Sequence, residues 1–182
     1  SEEEKMEEDI ERLLDRLRRI NKRLHDEHKK LNEDNERTVR RIDEEDKRIN
    51  EDLERTLRES NVDEELKKEL EEAHRRNRKL NEDLRRRNKR IHDENRKRVR
   101  ELHERTKEII ERIRKLLEEA RREGRDVRKV LEDVERIIRR LEEEHRRALE
   151  ESRKRSEENK RENEEMLERS KELAERIKRR LK

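Results

Sequence analysis

Two Glu-x-x-His pairs, Glu71 with His74 and Glu142 with His145, have the spacing that sets two ligands on one helix face in two-metal carboxylate bundles. A joint site would need both pairs at one level. The helical segmentation derived below puts His74 level with about residue 175, roughly 45 Å along the axis from His145, so no joint site is expected. His25, His28 and His92 fall closer in height, and imidazoles so placed suit zinc or nickel. They are candidate ligands, against the expectation that His28 joins a polar network while the other two edge it or face solvent. Ser152 and Ser156 lie on a helix face, with no glycine loop or aromatic wall to shape a pocket, so no nucleophile–base arrangement is expected. One Gly cannot make a phosphate loop. The run LRRRNKR at 84–90 and a pI near 9.1 point toward nucleic acid. The interspersed acids and the lack of stacking aromatics point instead to a solvated face. The expectation is no enzyme activity, no cofactor, no nucleic-acid partner and no resident metal.

The elements carrying these residues are helices. Among 182 residues there is no Phe, Trp, Tyr, Cys or Pro. Charged residues make up 62% and apolar residues 24%, a balance that on apolar content alone reads as disorder. The near-neutral net charge of +3 and the abundance of Glu, Arg, Lys and Leu argue for helix instead. No run of eighteen apolar residues predicts a membrane span, and SEEEKMEEDI lacks the apolar core of an export signal. A water-soluble chain without a targeting signal is expected.

Only two stretches read as turns. In ESNVDEEL (59–66), Asn61 is the expected helix cap, with Glu64 completing a capping box. In REGRDVRKV (122–130), Gly124 suits the left-handed position after a helix, and Asp126 the next cap. Three helices follow, about 3–59, 62–122 and 127–181, forming one all-α domain over 1–182. Short connections make neighbours antiparallel, giving a long up-down-up three-helix bundle. Residues 1–60 carry an acidic excess and the two later helices a basic one, which favours this pairing over self-association of like helices.

In-phase residues recur every 3.6 or so positions, the period of an unstrained helix, so a nearly straight bundle is expected. The stretch EESRKRSEENKRENEE (150–165) has no apolar side chain, yet it continues the stripe with Ser152, Ser156, Asn159 and Asn163. Ser and Asn are poor mid-helix residues, so finding them in phase argues that they face something. Mirroring heights about the two turns sets Asn35 with Asn88, Asn159 and Asn163. It sets His28 with Asn95, Ser152 and Ser156, and Asp46 with Asn77 and Ser170. Thr106 and His103 fall level with His145. Apolar residues crowd toward both ends of this arrangement. The expectation is buried polar layers that penalise wrong registers more than they stabilise the right one. Asn21, Asn32, Asn50 and Asn81 flank the stripe and are expected to be available for a second interface. His103 and His145, if buried neutral, would tie stability to pH.

At this point the chain resembles de novo designed helical bundles with buried hydrogen-bond networks. The likeness rests on the turns SNVDEEL and EGRDV, the mixed Glu, Arg and Lys surfaces, the absent aromatics and Cys, and reused fragments. RINKRLHDEH (19–28) and RRNKRIHDEN (86–95) share seven of ten residues, LNED occurs at 31–34 and 80–83, and INED at 49–52. The resemblance implies a fold without natural biochemical function, serving as scaffold, oligomer or switch. A monomer is the expectation. The alternative is a subunit or cage that pairs with a helical partner or with its own copies.

Overall fold

The computed structural model describes residues 1–182. It contains α1 (Glu2–Arg58), α2 (Glu64–Glu123) and α3 (Val127–Arg180), and no strand. The three helices pack on one another as an all-α three-helix bundle. Helix formers without breakers explain the uninterrupted lengths of 57, 60 and 54 residues.

The two connections differ in chemistry. After α2, Gly124 takes φ +64° and Arg125 N–H reaches back to the Ala120 carbonyl at 2.9 Å, closing the six-residue ring of a Schellman cap. Asp126 then caps α3, its Oδ1 accepting from Arg128 N–H at 3.0 Å. At the first connection the cap is not Asn61. The Asp63 carbonyl accepts the first bond of α2, from Lys67 N–H at 2.9 Å, while Ser60 Oγ accepts from Val62 N–H at 3.4 Å. The hydroxyl of Ser60 holds the chain in a bend through Val62, so the helix begins two residues later than the Asn61 cap predicts.

The chain divides into two compact units, each built from a segment of all three helices. The first comprises Ser1–Leu31 with Asn95–Arg153. Its core joins Ile10, Leu14 and Leu17 of α1 to Ile110, Ile113 and Leu117 of α2 and to Val127, Val134, Ile138 and Leu141 of α3. The second comprises Asn32–Glu94 with Lys154–Lys182. Its apolar residues form two smaller clusters: Leu53, Leu57, Leu70, Ala174 and Ile177, then Ile42, Met166 and Leu167. Each fully buried aliphatic side chain contributes about 1.5–3 kcal/mol, so the first unit draws more on burial and the second more on polar contacts. Acidic groups of α1 pair with basic groups of the other helices, as in Arg121 with Glu7 at 3.0 Å and Lys171 with Glu45 at 3.4 Å. Such exposed pairs bias helix choice and add little stability.

Partners on α2 lie more than one helical turn further from the first connection than mirrored heights place them. His25 stacks on His103, and Asp46 bonds Asn81 and Arg85 rather than Asn77. Side chains lean toward their own helix N-terminus. On antiparallel helices the two leans oppose, so contacting tips belong to residues whose backbones are axially offset.

No atom lies within 4 Å of a Cβ built on Gly124. Gly124→Ala therefore meets only the backbone penalty of a left-handed residue. Denaturant unfolding is expected to show a loss of about 1 kcal/mol with helix content by circular dichroism unchanged.

Candidate functional site

Every polar residue placed in phase by sequence is buried (His28, Asn35, Asp46, Asn77, Asn88, Asn95, Thr106, His145, Ser152, Ser156, Asn159, Asn163, Ser170), except His103, which is half-buried. What they bond to differs between the units.

In the second unit, α1, α2 and α3 meet in a layer of four amides. Asn35 Nδ2 donates to Asn159 Oδ1 at 3.1 Å, and Asn159 Nδ2 donates to Asn88 Oδ1 at 2.7 Å. Asn88 Nδ2 donates to Asn163 Oδ1 at 2.9 Å, and Asn163 Nδ2 donates back to Asn88 Oδ1 at 3.1 Å and to the Asn159 carbonyl at 2.7 Å. An amide both donates and accepts, so a chain of them can close on itself without water.

A second layer of the same unit centres on a charge. Asp46 is fully buried, with Asn50 Nδ2 at 3.1 Å, Asn81 Nδ2 at 3.0 Å and Arg85 Nη2 at 2.9 Å all donating to Oδ2. Arg85 also holds Asp43 on the same helix as Asp46. Asn77 and Asn81 each donate to Ser170 Oγ at 3.0 Å, and Arg169 donates to Asn77 Oδ1 at 3.1 Å and to Asn81 Oδ1 at 3.0 Å. A buried carboxylate is tolerated because three donors replace its water shell.

Asn81 corrects the sequence expectation. With Asn21, Asn32 and Asn50 it lies inside rather than flanking a free face, and it is 0% exposed while its neighbour Leu80 is 53% exposed. Hydropathy ranks Leu80 inward. The amide, however, satisfies Asp46, Ser170 and Arg169 together, which no leucine can. The signal was present as spacing: Asp46 and Asn50, like Asn77 and Asn81, stand one turn apart on the same face. Asn32 is the exception, with both Nδ2 and Oδ1 buried and unpartnered.

In the first unit the polar groups are imidazoles, hydroxyls and the amides of Asn21 and Asn95. His28 Nε2 bonds Ser152 Oγ. Thr106 Oγ1 spends its one proton on the Leu102 carbonyl at 2.9 Å, so His145 Nε2, 2.8 Å away, is the donor to it. The rings of His25 and His103 stack with centroids 4.2 Å apart, and Asn21 Nδ2 donates to the His103 carbonyl at 3.3 Å.

The Glu-x-x-His pairs do not act as pairs. His74 donates from Nε2 to Glu54 of α1 at 3.0 Å rather than to Glu71, and Arg78 joins the same carboxylate oxygen at 2.8 Å. The hydrogen bond from His74, with the Arg78 charge, holds the Glu54 carboxyl below the usual range. Glu142 faces Arg16 at 3.3 Å instead of His145. His92 belongs to the second unit and is not grouped with His25 and His28. No group of three or more His, Asp or Glu side chains is arranged to hold a metal ion, and no helix is long and apolar enough to cross a membrane.

Removing a satisfied hub and removing an orphan have opposite signs. Asp46→Ala strands Asn50, Asn81 and Arg85 and is expected to lower stability by about 3 kcal/mol. Asn32→Leu removes two unpartnered buried atoms and is expected to raise it by about 1–3 kcal/mol. Paired urea melts check both signs. No protein-family model, curated protein or solved structure matches the chain.

Proposed function

We propose that the chain is a de novo designed, non-catalytic helical scaffold whose buried polar layers specify which helix faces pair and in which register. The observation that carries this reading is the four-amide layer, in which Asn35, Asn88, Asn159 and Asn163 bridge three helices through bonds of 2.7–3.1 Å to one another. Each such bond contributes about 0.5–1.5 kcal/mol net, whereas a buried amide left without a partner costs about 1–3. The layer thus separates right from wrong pairing more than it deepens the native state. Its side-chain bonds run between its own members, which supports a structural rather than chemical role. The same logic favours a monomer that needs no partner, since the polar faces are already occupied within the chain.

Replacing Asn35, Asn88 and Asn163 together with Leu tests the reading. The expected outcome is equal or higher melting temperature with loss of a single register. In light scattering, the 23.0 kDa species expected for the parent chain would give way to mixed oligomers. A large loss of helix in the triple variant would contradict a specificity role. A dimer in the parent chain would favour a subunit that pairs with its own copies.

A further inference from the structure

Four of the six histidines gather in the first unit: His25 and His28 on α1, His103 on α2 and His145 on α3. With Asn21 and Leu102 they line one small cavity of about 10 Å³, no more than a single water's worth of space. The polar layers of the second unit contain no such cluster. We propose that these four imidazoles form a proton-operated latch: neutral, they close the layer by stacking and bonding, and protonated, they force it open.

The geometry selects a proton over a metal ion. His28 Nε2 is engaged by Ser152 and His145 Nε2 by Thr106. Among the ring nitrogens, His25 Nδ1 and His103 Nδ1 are buried without a partner. Two free nitrogens on facing rings do not complete a tetrahedral set. A charge on His103 would lie 4.2 Å, centroid to centroid, from the ring of His25.

The charged groups facing the cluster do not cancel this. His28 faces His145 from α3 and His25 on its own helix, and no carboxylate acts on it; burial first, then those two rings, push it down to about 4 from the usual 6.5. His103 faces His25 and Asp26 from α1, with Glu104 and Lys107 on its own helix. Burial lowers it first, His25 and Lys107 add to the shift, and Glu104 and Asp26 oppose it. His145 faces His28 from α1, His103 from α2 and Glu144 on its own helix, and burial lowers it despite the Glu144 charge.

The sign follows from proton linkage. The unfolded chain binds protons at His28, His103 and His145 more readily than the folded one, so acid favours opening. Stability from the neutral layer is fully present above 6.5 and is lost as pH falls from there through about 4. His28 alone lowers the folding constant about a hundredfold between pH 7 and pH 4.

Hydrogen exchange by mass spectrometry, corrected for intrinsic rates, tests the latch on the full chain from pH 8 to 4. Peptides covering 20–31, 98–106 and 141–152 are expected to lose protection by at least about a hundredfold, with a midpoint below 6.5. His28→Leu with Ser152→Ala removes one titrating ring together with its bonded partner. This variant is expected to shed about a hundredfold of the pH-dependent loss. An identical pH dependence in the variant and the parent would assign acid opening to carboxylates elsewhere and overturn the proposal. Should the variant fail to fold, imidazole NMR titration of the parent decides. A His28 resonance titrating near 6.5, with protection intact at pH 4, sinks the latch.

Discussion

A polar atom sealed from water must find its hydrogen-bond partner inside the protein, and this constraint organises the whole chain. With apolar residues only 24% of the sequence and no aromatic to enlarge the core, three helices of more than fifty residues cannot be lined with leucine alone. The remaining interior positions are polar, and polar interiors are stable only in arrangements that close their own bonds. The amide layer of the second unit meets the requirement with uncharged groups and the Asp46 layer with a charge enclosed by three donors. Among the imidazoles of the first unit, His28 and His145 meet it by bonds to hydroxyls, whereas His25 Nδ1 and His103 Nδ1 do not.

The two units consequently stand on different physics. In the first, ten buried aliphatic side chains provide burial and four imidazoles stand among the polar residues. In the second, burial is split between two small clusters, and permanent donors and acceptors link the helices. Aliphatic contacts do not discriminate strongly between neighbouring registers, because one leucine packs nearly as well as another. Amides do discriminate, because a shift of one residue turns them away from their partners.

Much of this was legible in the sequence. The absence of Pro, the lone Gly124 and the Asp126 cap give three helices, and the in-phase Ser and Asn of α3 give polar layers. Three things were not. The cap at Asp63 depends on a bend held by the Ser60 hydroxyl, which no residue preference announces. The inward turn of Asn81 at the expense of Leu80 depends on three partners from other helices converging on one amide. The axial offset between α1 and α2 partners comes from the lean of side chains along antiparallel helices, which a height count by backbone position ignores. In the last two cases the deciding information is three-dimensional and lies outside any local window of the chain.

Asn159 and Asn163 stand one turn apart on α3 and both bond Asn88. A sliding α3 therefore meets a detent with unequal walls. Moved one turn in one sense, Asn88 keeps Asn159 and gains the hydroxyl of Ser156. Moved one turn in the other, it keeps Asn163 and collides with the aliphatic Leu167. A one-turn shift toward the Ser156 side would therefore cost less than one toward Leu167.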